Sequence, residues 1–243
     1  MIHFSNVSFS YKTSLSRDYT IKSLLIRPSS YHTHSNQPKK SMEDINLTIY
    51  KGEKVGIIGQ NGSGKTTLIR LIGGLIKPDK GVIQISGTIS PLIGLGVGMN
   101  QTMSLVENLK LNFLYRGCDT KIINELVNSV LEKSGLMERK HALIGSLSSG
   151  TIAKLNFYMG IAIHSDIVLL DEFSAVGDET FIKQSKRDLH QFIANSSTLI
   201  NVSHNLDFLK EVSDRFLWVR DGKIYMDGHA EEVLASYKEY ANR

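Results

Sequence analysis

One stretch of the sequence combines glycines, a lysine and a hydroxyl group at a spacing that could bind a polyphosphate. It consists of Gly59, Gln60, Asn61, Gly62, Ser63, Gly64, Lys65 and Thr66. The glycines let backbone N–H groups turn towards phosphate oxygens, and the N-terminus of a following helix adds the positive end of its dipole. Lys65 can then reach the terminal phosphates, and the Thr66 hydroxyl can bind Mg²⁺. A glycine-rich turn with a solvated lysine is the alternative interpretation, and the complete spacing disfavours it.

The residues on both sides of this stretch predict the strand and the helix that it needs. Val55 to Ile58 is a short apolar run typical of a buried strand, and Thr67 to Ile76 has the apolar spacing of a helix. A glycine-rich loop between a strand and a helix is the context in which this pattern is specific for phosphates.

Two neighbouring carboxylates follow another apolar run. Residues 167–170 are typical of a strand buried in a parallel sheet, and Asp171 and Glu172 come next. Because successive side chains of a strand point to opposite faces, the two carboxylates can have different roles. Asp171 suits contact with Mg²⁺, directly or through water, and Glu172 is left to polarise an attacking water, an effect typically worth about 10² to 10⁴ in rate. An isolated Asp-Glu pair is more often an acidic turn, but the preceding strand and the upstream loop favour the catalytic interpretation.

The remaining hydrophobic patterns predict an α/β fold with a helical insertion. Alternating apolar residues predict strands over Ile2 to Tyr11 and Ile45 to Ile49. Apolar residues at three- and four-residue steps predict a helical subdomain from Leu105 to Ile163. Further elements are a strand region over Val82 to Ile89, a buried strand at Thr198 to Val202, a terminal hairpin over Phe216 to Met226 and a last helix over His229 to Tyr240.

The segment from Lys12 to Lys40 has no such periodicity. It contains Pro28 and Pro38, many serines and several basic residues. This composition predicts a long surface insertion, with order resuming near Ser41.

Length and composition limit the classes of protein to which the chain can belong. With 243 residues it is long enough for one large domain and too short for two nucleotide-binding domains in tandem. The single cysteine, Cys118, excludes an internal disulfide framework and a four-cysteine zinc site. The net charge of +4 suits a phosphate ligand, nucleic acid or an acidic membrane surface, and it selects none of them.

The sequence predicts neither a membrane span nor a secretion signal. The longest apolar stretch, Phe157 to Leu170, is interrupted by His164, Ser165 and Asp166, and it falls short of the roughly 18 apolar residues that cross a bilayer. The N-terminus lacks a basic region followed by an apolar run. We therefore expect a cytosolic location.

A third motif resembles the signature of one class of ATPase. The run Leu147-Ser148-Ser149-Gly150-Thr151 resembles LSGGQ, the signature of ATP-binding cassette (ABC) ATPases. Alone it would be a serine-rich helix cap, but it lies at the start of a helix between the phosphate-binding pattern and the acidic strand. His204, after the strand at Thr198 to Val202, is similar to the switch histidine of the family. Ser174 to Asp178 resembles the loop through which two subunits of that family communicate.

The resemblance covers nearly the whole chain apart from Lys12 to Lys40, and it implies a fold. It implies one ABC ATPase domain over residues 1–243, with an α/β, P-loop NTPase RecA-like core, an antiparallel β subdomain and an inserted α-helical subdomain. Three runs look like the nucleotide-binding subunits of polysaccharide exporters, which serve capsular polysaccharide, O-antigen and wall teichoic acid. They are Ser148 to Gly150, Ala175 to Asp178, and Leu92 to Gly96 leading to Glu107-Asn108.

The resemblance also implies roles for individual residues. In that family two copies sandwich two ATP molecules, and each phosphate-binding loop faces the partner's signature. Thr66 and Asp171 would bind Mg²⁺, Glu172 would act on water and His204 on the γ-phosphate. Tyr11 falls where the family stacks an aromatic ring on adenine, although an ordinary strand-end tyrosine is a serious competing interpretation. The implied ATP ligands are Gly59, Gln60, Asn61, Gly62, Ser63, Gly64, Lys65, Thr66 and Thr67, with Ser148, Ser149 and Gly150 acting across the dimer.

The sequence departs from the family pattern at several positions. Asn100 stands where the family usually has the glutamine that contacts Mg²⁺ and senses the transmembrane subunit, with Gln101 beside it, and either residue can serve. Ser149 replaces the first glycine of the signature, and Thr151 replaces its glutamine. A run of alternating glycines superficially suggests a dinucleotide fingerprint, but it does not open a helix after a strand; it comprises Gly94, Gly96 and Gly98.

The function that the resemblance implies is that of a transport ATPase. Such a subunit would lie peripherally at the cytoplasmic face of the inner membrane as a homodimer and drive a separate integral-membrane permease. Its cargo would be a lipid-linked polysaccharide, and nucleic acid would not be a partner. A non-transport ABC ATPase acting on DNA or ribosomes is the alternative, but the chain has neither two cassettes, nor a long coiled coil, nor a basic stripe interleaved with aromatic residues. A P-loop metabolic kinase explains neither the signature nor His204.

The basic segment from Lys12 to Lys40 has two interpretations. A solvated surface loop is the simpler one. The other is contact with anionic lipid head groups or with a phosphate-bearing lipid-linked glycan. Because the chain ends soon after the predicted hairpin, we expect no additional C-terminal glycan-recognition domain.

Overall fold

Two β-sheets form the frame of the part of the chain that the structure describes. The computed structural model describes residues 1–11, 39–92, 99–163, 165–171, 179–195, 198–203 and 205–241. The strands are β1 (Ile2–Tyr11), β2 (Lys39–Ile49), β3 (Lys54–Ile58), β4 (Lys80–Ile85), β5 (Ile89–Leu92), β6 (Ile167–Asp171), β7 (Thr198–Val202), β8 (Arg215–Arg220) and β9 (Lys223–His229). The helices are α1 (Lys65–Ile72), α2 (Leu105–Tyr115), α3 (Thr120–Ser134), α4 (Ser149–Ile161), α5 (Glu179–Ala194), α6 (Leu206–Val212) and α7 (Ala230–Ala241).

The larger sheet brings the predicted buried strands together. Its order is β5-β6-β7-β3-β8-β9, and neighbouring strands are parallel except β8 and β9, which form an antiparallel hairpin. All of β7 and residues 167–170 of β6 are buried, as is typical of parallel strands covered on both faces. The predicted parallel strands and the terminal hairpin are thus confirmed. Because β6, β7 and β3 are adjacent and parallel, their carboxyl ends meet at one edge, where α/β proteins bind ligands.

The smaller sheet is antiparallel, as the resemblance implies. Strand β1 lies between β2 and β4, and Ile2 pairs with Ile49 on one side and with Ile85 on the other. The alternation of apolar residues in β1 breaks after Phe4, where Asn6 has a φ of 48° and both ladders shift register. The register shifts show a bulge, which explains the irregular pattern of β1. Asparagine suits this position because it tolerates the left-handed conformation better than most residues.

Strand β2 begins earlier than the sequence predicts. Lys39 and Lys40, which the prediction assigns to the insertion, pair with Tyr11 and Ser10 of β1. Pairing between backbones needs no apolar side chains, so the hydrophobic pattern does not reveal it. The rest of the predicted insertion, residues 12–38, lies outside the described residues.

Three other predicted boundaries also differ from the structure. The helix predicted from Thr67 to Ile76 is α1, which starts at Lys65 and ends at Ile72. It is followed by Gly74, which has a φ of 66°, and such a residue commonly terminates a helix. The strand region over Val82 to Ile89 is divided between β4 in the smaller sheet and β5 in the larger one, and His229 belongs to β9 rather than to the last helix.

The predicted helical range contains α2, α3 and α4. Ser104 and Glu107 form a capping box at the start of α2, and Gly135, with a φ of 69°, ends α3. Apolar residues of the three helices share one core with β6. The sequence patterns do not single out α5 and α6, which precede and follow β7. Among the helices described, none has the length and apolar character needed to span a membrane.

A network centred on Arg215 joins the two sheets. Arg215, the first residue of β8, donates two hydrogen bonds of 2.7 Å to Asp227 of β9. Its Nη1 donates to Glu53 Oε2 at 2.8 Å and to the carbonyl oxygen of Thr48 in β2 at 3.0 Å. The pKa of Arg215 is raised above its ordinary value, mainly by the hydrogen bonds to Asp227. The guanidinium therefore ties the smaller sheet to the terminal hairpin of the larger one.

We expect the substitution Arg215→Gln to lower the free energy of unfolding by about 1–3 kcal/mol, because Asp227 and Glu53 lose the cation that they share. Denaturant unfolding at neutral pH measures this difference. Arg187→Gln is the matched control, since Arg187 is exposed on α5 and its loss should change stability by less than about 0.5 kcal/mol. Equal stability of the two variants would contradict the role assigned to the network.

Candidate nucleotide-binding site

The phosphate-binding pattern forms a tightly packed loop between β3 and α1. Residues 59–64 make this connection, and Gly59 and Gly64 have φ values of 152° and 113°. A Cβ on Gly59 would collide with the carbonyl oxygen of Val219 in β8, and a Cβ on Gly64 would lie 2.9 Å from the carbonyl oxygen of Ser41 in β2. Both positions therefore need glycine, because side chains rarely adopt these angles and the neighbouring backbones leave no room.

Lys65 turns back over this loop. Lys65 is only 7% exposed, and its Nζ donates to the carbonyl oxygens of Gly59 at 2.8 Å and Gln60 at 3.0 Å. A buried ammonium needs such acceptors, because burying an unpaired charge is costly. The cation is therefore held on the loop rather than in solvent.

The start of α1 and the loop before it fit an anion. The N-cap residue, Gly64, provides no side-chain cap, and the first turn contains no acidic residue, so the positive end of the helix dipole is not compensated by the helix itself. A Cβ on Gly62 would meet nothing within 4 Å. Ser63 Oγ is buried and has no hydrogen-bond partner among the described residues. Open space, backbone donors and a buried hydroxyl are what phosphate oxygens require.

Two predicted magnesium ligands belong to this edge of the larger sheet. Thr66 lies in the first turn of α1 and is half-buried, whereas Thr67 is only 6% exposed. Asp171 ends β6 opposite Val202 of β7, and β7 is the neighbour of β3. A hydroxyl and a carboxylate are oxygen ligands of the kind that Mg²⁺ prefers. The donor chemistry therefore fits the ion.

Some predicted residues lie outside the part of the chain that the structure describes. These are Glu172, His204, the run Ser174 to Asp178, and the glycine-rich residues 93–98. Their roles stay predictions.

Tyr11 lies beside the helix that follows the loop. It is 39% exposed at the end of β1, and its hydroxyl oxygen accepts a hydrogen bond of 3.5 Å from Arg70 Nη1 of α1. Its ring meets the ring of Phe9 edge to face, with centroids 4.9 Å apart. An exposed aromatic ring held next to α1 is suited to stacking on a base.

The structure uses Asn100 to build a turn. Its Oδ1 accepts hydrogen bonds from the backbone N–H of Thr102 at 2.9 Å and from its hydroxyl at 2.8 Å. The backbone N–H of Asn100 donates to Asn108 Oδ1 at 2.7 Å, and Asn108 Nδ2 donates back to the carbonyl oxygen of Asn100 at 3.0 Å. Gln101 beside it is exposed. Asn100 is exposed as well, so which of the two side chains contacts a ligand stays a prediction. Asn108 holds the turn.

The signature residues begin α4. Ser148 is the N-cap, and its Oγ accepts a hydrogen bond of 3.2 Å from the backbone N–H of Thr151 and lies 2.8 Å from the Thr151 hydroxyl oxygen. Thr151, which stands in place of the glutamine of the signature, therefore contributes to the cap. Ser148 and Ser149 are exposed, and a Cβ on Gly150 would meet nothing within 4 Å. The N-terminus of α4 is thus accessible from solvent.

A cavity of about 350 Å³ opens beside the signature. Within it, Lys154 Nζ lies 5.0 Å from the centre of the Phe181 ring. The sequence motifs do not single out Lys154, but it follows Gly150 by four residues, and this spacing places both on one face of α4. The side of the molecule that carries the signature therefore combines a helix N-terminus with a cation. The lining residues are Ser134, Gly135, Leu136, Ser148, Gly150, Thr151, Lys154 and Phe181.

Known proteins resemble this chain in sequence and in fold. The family model of ABC transporters matches residues 42–175. The teichoic acids export ATP-binding protein TagH of Staphylococcus haemolyticus is 33% identical over 98% of this chain and 88% of its own length. The O-antigen export system ATP-binding protein RfbB of Klebsiella pneumoniae is 32% identical over 98% of each chain. Among solved structures, a dimeric post-hydrolysis state of an ATP-binding cassette bound to ADP and Pi is similar in fold, with a TM-score of 0.71 and 18% identity over 95% of this chain and 99% of that one.

The extended match to curated relatives and the family model establish the class of the protein. The chain belongs to the ABC transporter family, among its ATP-binding subunits, and it is an ABC ATPase. The predicted resemblance and the predicted fold class are confirmed.

Proposed function

We propose that the chain is the ATP-hydrolysing subunit of an exporter that moves a lipid-linked polysaccharide, such as capsule, O-antigen or teichoic acid. The permease through which the cargo passes would be a separate integral-membrane subunit, and the ATPase would bind it at the cytoplasmic face of the membrane. The observation that carries this proposal is similarity over 98% of the chain to ATP-binding proteins of teichoic acid export and O-antigen export.

The geometry of the loop supports the binding of ATP. The backbone donors of residues 59–64 and the start of α1 would hold the phosphates, and the ammonium group of Lys65, the first residue of α1, is bonded to this loop. Tyr11 would stack on the adenine. Thr66 and Asp171 would hold Mg²⁺, with Gln101 or Asn100 as a further contact. When bound, that ion neutralises phosphate charge.

The reacting groups are assigned from the sequence. Glu172 would orient the attacking water and accept its proton, and His204 would contact the γ-phosphate. General-base catalysis requires the carboxylate within hydrogen-bond reach of that water. Glu172 directly follows Asp171 in the chain, and Asp171 ends β6 at the edge of the sheet where the loop also begins.

A second copy of the chain would complete each ATP site. The signature residues Ser148, Ser149 and Gly150 lie at an accessible helix N-terminus, beside the cavity that Lys154 lines. A helix N-terminus next to a cation suits the terminal phosphate of an ATP carried by the partner. The similarity in fold to a dimeric cassette bound to ADP and Pi supports this arrangement. ATP binding would close the dimer, hydrolysis would reopen it, and the permease would follow these two states.

The substitution Glu172→Gln tests the assignment of the general base. The amide cannot accept a proton, so we expect hydrolysis to fall by about 10²- to 10⁴-fold while ATP binding persists. An ATP-dependent dimer should then accumulate, which gel filtration with and without ATP measures. Glu132→Gln, at an exposed position on α3, is the matched control and should hydrolyse ATP normally. Hydrolysis at the wild-type rate in Glu172→Gln would rule out this base.

Replacing residues 12–38 by Asn-Gly tests the role of the basic segment. Tyr11 and Lys39 face each other in the β1–β2 ladder, so a two-residue turn can join them without disturbing the sheet. If the segment contacts anionic head groups, we expect export of polysaccharide to fall at least about tenfold, since each lost charge is worth about 1 kcal/mol at such a surface. ATP hydrolysis should stay near the wild-type rate.

A variant of unchanged length separates charge from length. Arg17→Gln, Lys22→Gln and Arg27→Gln together remove three cations from this segment, and we expect the same selective loss of export. An equal loss of hydrolysis and export in either variant would indicate a role in folding instead.

A further inference from the structure

The outer side of the phosphate-binding loop rests on the hairpin between β8 and β9. The backbone N–H of Gly222 donates to the carbonyl oxygen of Ser63 at 2.9 Å. A Cβ on Gly59 would strike the carbonyl oxygen of Val219, and one on Gly64 would lie 3.6 Å from the Cα of Gly222. Both ends of the loop therefore contact this hairpin.

The shape of the hairpin directs its turn towards the loop. Asp221 and Gly222 have φ values of 50° and 75°, which is the pattern of a two-residue type I′ turn. Trp218 pairs with Met226 and Val219 with Ile224, so Tyr225 is an extra residue on β9. Such a bulge bends its strand and increases the local twist.

Gly222 also bridges the loop to the smaller sheet. Its carbonyl oxygen accepts a hydrogen bond of 2.8 Å from the backbone N–H of Glu43 in β2. A Cβ at this position would lie 2.9 Å from the carbonyl oxygen of Ser41. A side chain at position 222 would therefore push the turn away from β2 and stretch the hydrogen bond from the N–H of residue 222 to the carbonyl oxygen of Ser63.

We propose that Gly222 is a positioning residue for ATP binding, acting through the Ser63–Gly64 peptide. In a planar trans peptide the carbonyl of one residue and the N–H of the next point in opposite directions. The N–H of Gly222 holds the Ser63 carbonyl outward, so the N–H of Gly64 points into the loop, towards the phosphates. The proposal rests on the ATP binding proposed for this loop and is independent of the exported cargo.

The variants Gly222→Ala and Gly222→Asn test this role. Asparagine tolerates a positive φ better than alanine does, so Gly222→Asn tests the close approach to Ser41 with less backbone strain. We expect both variants to raise the KM for ATP by about five- to tenfold, the effect of one lost hydrogen bond, with kcat changing less than about twofold. Gly228→Ala in β9 is the matched control, because its Cβ would meet only ordinary contacts of 3.6 Å, and it should keep the wild-type KM.

An unchanged KM in either folded Gly222 variant, or a fall in kcat alone, would overturn the proposal. If neither variant folds, amide hydrogen exchange of the wild-type protein tests whether Gly222 responds to ATP binding. Addition of ATP should slow exchange at Gly222 together with Gly64 and leave Gly228 unchanged, whereas unaltered exchange at Gly222 would overturn the proposal. A wild-type protein that binds no ATP would contradict the proposed function, while equal ATP binding by wild type and Gly222 variants would contradict this inference alone.

Discussion

Carbonyl groups in a packed phosphate-binding loop need hydrogen-bond donors, and donors from outside the loop spare its own backbone N–H groups for a polyphosphate. In this protein Lys65 donates to the carbonyl oxygens of Gly59 and Gln60, and Gly222 donates to that of Ser63. Helix α1 carries the first donor and the β8–β9 hairpin carries the second. The conformation of the loop therefore depends on how these two elements are placed around β3.

The order of the larger sheet provides that placement. Strand β3 lies between β7 and β8, so the loop after β3 has the hairpin on one side and the acidic end of β6, one strand further, on the other. Arg215 fixes the start of β8 to both sheets, and the turn after β8 carries Gly222. Strand β8 is thus anchored at its start by Arg215, and the turn after its end positions the phosphate-binding loop. Strand β6 brings Asp171 to the same edge of the sheet.

The parts of this arrangement that are local in sequence could be predicted. The loop with its flanking strand and helix, the buried run before Asp171 and the cap formed by Ser148 each depend on residues close together in the chain. The contacts of Gly222 with Ser63, of Lys39 with Tyr11 and of Arg215 with Thr48 could not be predicted, because backbone partners far apart in the chain leave no pattern of residue types. The sequence left Asn100 and Gln101 as alternatives, and the hydrogen bonds of the turn at these residues show that Asn100 builds it without showing which side chain meets a ligand. The roles of Glu172 and His204 are assigned from the sequence alone, because both residues lie outside the part of the chain that the structure describes.

In the proposed function, each ATP site combines the phosphate-binding loop of one copy with the signature of another. The composite site is tested by mixing two separately inactive variants, Lys65→Met and Gly150→Asp, and measuring ATP hydrolysis. In a mixed dimer one site carries both defects and the other carries none, so random mixing should restore about a quarter of the wild-type rate. If the mixture stays as inactive as either variant alone, although mixed dimers form, the composite site is contradicted.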